Sequence, residues 1–260
     1  MNKTIISIIL FSLYSVYGHS QTNNLLYKFT EQKNELTSSY NLLHTSDISH
    51  WYETGKRTVD EKKTEGSYIE DENYTRKHVY KDFKNEFTYS NYDIYKHKFY
   101  VKDQTGLMHW TITDSTETIM GFKCQIAKTT FRGRNYFVSF TKDIPNSDGP
   151  WKFQGLPGMI LKVISDEDNE YYKMECIKIE SHNEDVKKTF ISFTEKYKNK
   201  FITWDEFIID VDGFIKKYIK NLKSSEEAEE GGGYSIKIRM KNQKEIFHKK
   251  LQTSGIMIEM

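Results

Sequence analysis

Proline is nearly absent from this chain: there are three in 260 residues, all between Pro145 and Pro157. Proline fixes φ and removes a backbone donor, so this scarcity singles out one rigid, turn-rich segment. Cysteine is as scarce, with Cys124 and Cys176 alone. Spacing leaves open whether these two join in a disulfide or are separate buried small hydrophobes. No Cys/His constellation supports a catalytic thiol. Excess charge is also missing: 38 basic against 37 acidic residues give a net charge of +1, too little to draw in nucleic acid or an anionic membrane. The histidines show no metal-binding spacing. No nucleophile elbow, phosphate loop or dinucleotide fingerprint occurs, and no basic stripe interleaved with aromatics. Neither a cofactor, nor a metal, nor a nucleic-acid partner is expected.

One apolar run stands at the start. Met1-Asn-Lys3 is a short positive segment, Ile5 to Tyr17 is almost all apolar or hydroxylated, and Gly18-His-Ser20 offers a small-residue cleavage site. This is the pattern of a secretory signal peptide over residues 1–20. Thirteen residues fall short of the ~20 that a membrane-spanning helix needs. The expected product is exported, periplasmic or bound to the cell envelope or secreted, with no membrane span after the signal is removed. Residues 21–260 are read as a single β-rich domain.

Aromatics make up 15% of the chain, with 18 Tyr and 16 Phe, which favours strands. Short apolar-aromatic runs recur at the spacing of an antiparallel sheet: 40–44, 48–52, 78–80, 86–89, 98–102 and 107–112. Later strands are expected at 121–129 and 135–141, joined by the turn-like Phe131-Arg-Gly-Arg134, and then at 159–164 and 171–180. The polar stretch 54–73 reads as a long hairpin or loop, and 234–240 as a last strand. Thr203-Trp-Asp-Glu206 fits a capping box. The helical spacing of Phe207, Val211, Ile215 and Leu222 then predicts a helix over about 204–222, with Gly213 as an interruption.

The proline segment interleaves turn residues with Trp151, Phe153, Leu156, Met159 and Ile160. It is expected either to cap the sheet core as a rigid connection or to bind a partner through Trp151, Lys152 and Phe153. Arg132 and Arg134 hold two of the chain's five arginines. On an extended segment they would share a face. They could then clamp a carboxylate or phosphate, or pair internally with Asp143 and Asp148.

The run 120–164 resembles the GLPGLI family through Gly155-Leu-Pro-Gly-Met-Ile160. The likeness extends to Trp110-Thr-Ile, Gly121-Phe-Lys-Cys-Gln-Ile-Ala127, Phe131-Arg-Gly-Arg134 and Gly149-Pro-Trp-Lys-Phe-Gln-Gly155. Met159 replaces the usual leucine, a volume-conserving change. The resemblance implies an exported Bacteroidetes-type protein, often associated with TonB-dependent transporters. It also implies a curved antiparallel sheet or half-barrel like that of lipoprotein carriers, with a C-terminal helix against the concave face. Two functions are open: a non-enzymatic binding or accessory module for an apolar or peptide-like ligand or an envelope protein, and a hydrolase around His109, Arg132, Arg134 and Asp148.

Overall fold

A computed structural model describes residues 24–33, 36–54, 58–59, 77–94, 97–167 and 170–226. The expected signal peptide, most of the 54–73 loop and the 234–240 strand lie outside the described residues.

The described chain is mostly β and forms one curved, unclosed sheet. Its strands are β1 (Leu25–Lys33), β2 (Leu36–His44), β3 (Ile48–Glu53), β4 (Thr58–Val59), β5 (His78–Asp82), β6 (Phe87–Ile94), β7 (His97–Gln104) and β8 (Thr111–Ile119). They continue as β9 (Phe122–Phe131), β10 (Arg134–Thr141), β11 (Met159–Glu167), β12 (Glu170–Ser181) and β13 (Phe201–Ile202). Two helices, α1 (Val186–Tyr197) and α2 (Trp204–Glu226), complete the described elements. The strand order is β13-β7-β6-β5-β3-β2-β1-β12-β11-β10-β9-β8, with β4 added beside β2. All these pairings are antiparallel except β13 with β7.

Side chains alternate across the sheet, and the register sorts them into two faces. Trp51, Val79, Ser90 and Val101 form one row, on what is here the inner face. His50, Tyr80, Tyr89 and Lys102 form a row on the outer face. The main core is built on the inner face from Tyr27, Phe29, Tyr40, Trp51, Tyr136, Phe140 and their neighbours. Phe207 of α2 reaches Tyr92 at 4.8 Å and Phe99 at 5.3 Å on that side. Phe190 of α1 packs on Tyr80 and Tyr89 across the outer face, at 5.6 and 5.3 Å.

The helix expected over 204–222 is present, and its capping box is formed. The Thr203 backbone N–H donates to Glu206 Oε2 at 2.7 Å, and the Glu206 N–H donates back to Thr203 Oγ1 at 3.3 Å. Gly213 does not break it; nothing lies within 4 Å of where its Cβ would be. A second helix, α1, packs on the opposite face from α2. The strand expected at 107–112 starts only at Thr111.

Of the two alternatives that spacing leaves open for the cysteines, the structure has the separate buried thiols: both are free. Cys124 lies on β9 and Cys176 on β12, with β10 and β11 between them. Three strand spacings of ~4.8 Å far exceed the ~6 Å that a disulfide spans between Cα atoms. Burial pushes the Cys124 thiol up to about 11 and the Cys176 thiol up to about 12.

Candidate binding site at the proline segment

The segment between β10 and β11 folds inward. Trp151 is 4% exposed and Phe153 0%. Leu156, Met159 and Ile160 join them in the core. Trp151 and Phe153 are therefore core anchors, which corrects the reading of them as partner contacts. Phe153 packs edge-on against Tyr136 at 5.1 Å and Trp151 at 5.2 Å, the geometry favoured by ring quadrupoles. The Trp110 indole N–H donates to Gln154 O at 2.8 Å. Close packing explains two of the glycines. A Cβ on Gly158 would stand 2.1 Å from Thr141 O, and one on Gly149 would stand 2.7 Å from Ile160 Cβ. Pro157, within the hexapeptide, stays exposed.

A buried ionic clasp pins this segment to the sheet. Lys81 of β5 and Asp148 are both fully buried and form an ion pair. Lys81 Nζ also donates to Gly149 O at 2.5 Å and Phe153 O at 3.3 Å. Asp148 Oδ2 lies 2.8 Å from His44 Nδ1, and Asp148 Oδ1 accepts the Gly149 N–H at 2.8 Å. Burial raises the Asp148 carboxyl, but the Lys81 ammonium and His44 more than offset it and hold it at about 2. Burial lowers Lys81 from the usual lysine value, and Asp148 restores part of that loss. A buried charge persists when it is paired and hydrogen-bonded, and every contact described here serves that end.

The polar cluster nearer the surface is built on a strained turn. Arg132 (φ 49°) and Gly133 (φ 80°) form the two-residue connection between β9 and β10. A tight hairpin of this kind requires both central residues in the left-handed region. Arg132 pairs with Asp103 of β7, and its guanidinium lies 3.3 Å above the Trp204 ring at the start of α2. Lys152 Nζ is 3.4 Å from the same Asp103 oxygen, 5.0 Å from the Trp204 ring and 5.6 Å from that of Tyr92. Trp151, next to Lys152, is also left-handed at φ 50°. A cleft lined by Thr88, Asp103, Gly106, Met108, Lys152 and Gln154 opens beside these groups.

Arg132 and Arg134 do not form a joint clamp. Arg134 is buried, and its Nε donates to Ser165 Oγ at 2.7 Å on β11. Neither arginine pairs with the expected Asp143 or Asp148; Asp103, which the sequence reading did not single out, takes Arg132. The four residues of the hydrolase reading also go separate ways. Arg132 binds Asp103, Arg134 binds Ser165, Asp148 lies in the clasp, and His109 is exposed in the segment before β8. Among the described residues no group of three or more His, Cys, Asp or Glu is arranged to hold a metal.

A sequence family described as "Protein of unknown function (Porph_ging)" matches residues 132–162, from the Arg132 turn through the proline segment into β11. That description brings no GLPGLI name with it. No curated protein matches the chain. Two solved structures, "Structure of PNGF-II in C2 space group" and "Structure of PNGF-II in P21 space group", are similar at 16% and 15% identity, with TM-scores of 0.43 and 0.42. The matches cover 64% and 68% of this chain but only 29% and 31% of those chains. The chain thus spans under a third of PNGF-II, and a likeness this distant carries no functional inference.

Proposed function

We propose that this protein is an exported, non-enzymatic binding or accessory module of the cell envelope, of GLPGLI type. It takes an acidic group of a peptide-like ligand or envelope partner, such as a TonB-dependent transporter, at the Arg132–Asp103–Lys152 cluster. The observation that carries this reading is the convergence of two cations on one carboxylate, over the Trp204 indole and beside a cleft. A guanidinium matches a carboxylate in a planar, two-pronged fashion, so an incoming carboxylate competes with Asp103 for the same fork. Two non-glycine residues are held left-handed here, Arg132 within the cluster and Trp151 next to Lys152; such strain gathers at ligand clamps. An apolar ligand finds less support, because Trp151, Phe153, Leu156 and Met159 occupy the inner face.

The test is native mass spectrometry of the protein purified from its own envelope fraction, as wild type and as Arg132→Asn. Asparagine tolerates the left-handed backbone but lacks the guanidinium. A stoichiometric peptide or protein on the wild type, lost from the variant, is the expected result. A clean monomer from both, or a partner retained by both, would overturn the reading.

A further inference from the structure

On the outer face, His50 of β3 and His78 of β5 meet diagonally across the strand pair. His50 Nε2 and His78 Nδ1 are 2.9 Å apart. Tyr80 stacks on His50 at 3.9 Å between centroids, and Tyr52 stacks on it at 4.7 Å. α1 covers the stack, with Phe193 at 6.3 Å from His78 and 5.0 Å from Tyr80. His50 is 6% exposed, and its Nδ1 is buried with no hydrogen-bond partner.

The protons on this pair can be counted. Two ring nitrogens at 2.9 Å share one proton between them. If His50 accepted it, its own proton would sit on Nδ1, a buried donor with nothing to donate to; such orphaned donors are rarer than bare acceptors. The neutral pair is therefore His50 Nε2–H donating to His78 Nδ1, with the one ring proton of His78 on Nε2. One further proton has two places to go. On His50 Nδ1 it makes a buried cation with an orphan donor. On His78 Nδ1 it sets two N–H groups head to head and breaks the bond.

We propose that the His50–His78 pair is an acid-sensitive latch for α1: neutral, it seats the stack under the helix, and protonated, it breaks and lets α1 loosen from the outer face. The other titratable groups on this face are the phenols of Tyr52 on β3, Tyr80 on β5, Tyr89 on β6 and Tyr100 on β7, the Asp82 carboxylate that acts on Tyr89, and the Lys102 ammonium at the end of the row. From β2, Leu43 faces His50, and from β6, Asn91 Oδ1 accepts the His78 backbone N–H at 2.7 Å. α1 presents Phe190, Phe193 and the Thr189 hydroxyl, while Glu184, just before it, acts on Tyr80. Burial, and then His78, push His50 well below the usual histidine value of 6.5. A histidine depressed in the folded state contributes stability above its unfolded value, and that contribution is lost as pH falls below it.

The test is hydrogen–deuterium exchange on the full chain from pH 7.5 to 5, corrected for the intrinsic rate. Protection of α1 is expected to fall ~10-fold or more below pH ~6.5, with β10–β12 unchanged. His50→Phe keeps the ring stack and cannot titrate, so it flattens the response; His78→Gln does the same and decides the matter if His50→Phe misfolds. PH-independent α1 protection in the wild type, or the same fall in the folded variants, would overturn the proposal.

Discussion

Strand β5 supplies both faces of the sheet with a histidine-linked polar group, and the two groups are opposites. On the inner face Lys81 meets Asp148 and His44 in a charged clasp with no exposure at the ion pair. On the outer face, His78 meets His50 ring nitrogen to ring nitrogen at 2.9 Å. The clasp has an acceptor or donor ready for each charge, including Gly149 O, Phe153 O and the Gly149 N–H. The outer pair leaves His50 Nδ1 unserved. The same strand thus fixes a loop on one side by satisfied charge and holds a helix on the other by a bond that one proton can end.

The largest break in this contrast comes from the clasp. Lys81→Met leaves Asp148 buried with its main counter-charge gone, which costs about 3–5 kcal/mol. His50→Phe, on the outer face, removes one hydrogen bond and keeps the stack, at about 1 kcal/mol or less. Urea midpoints compared at equal slope decide it. Equal losses would mean that the clasp is not what holds the proline segment.

Acid sharpens the contrast. Asp148 is held at about 2 against an ordinary 3.8. A carboxyl depressed in the folded state contributes stability above its unfolded value and loses it as pH falls through the folded one. The window is therefore pH ~4 to ~2, and the amount about 2 kcal/mol. It lies below the range in which the outer histidines respond, so two acid steps are expected, α1 first and the core second. Asp148→Asn removes the second step alone. If near-ultraviolet circular dichroism shows the wild type and this variant losing tertiary structure identically below pH 4, the clasp is not the acid-labile element.

The sequence disclosed most where signals are local. The turn at Phe131–Arg134, the strands on either side of it, and the Thr203–Glu206 box could all be read from neighbouring residues. Strand β8 could not, because it is an edge strand whose Thr, Asp and Glu side chains are mostly exposed, and an exposed strand shows little apolar alternation. Helix α1 carries a local signal of its own: Val186, Phe190, Phe193 and Tyr197 recur at helical spacing behind a capping Asp185. Lys81 in His-Val-Tyr-Lys-Asp looks like a solvent-facing residue until a distant loop folds over it. The Asp103–Arg132 and His50–His78 pairs join separate strands, and no linear spacing encodes them.

The smallest effect bears on the helices themselves. Asp185 Oδ1 accepts the Lys188 N–H at 2.9 Å and caps α1, as Thr203 caps α2. Asp185→Ala removes that bond at a cost of about 1 kcal/mol. On the outer face little else resists the loss, since α1 buries only Val186 and Phe190. Exchange should therefore rise throughout α1 while the sheet and α2 keep their protection. If the rise instead spread evenly to the inner core, α1 would be part of one cooperative unit with the clasp. The two faces of β5 would then differ in chemistry but not in how they open.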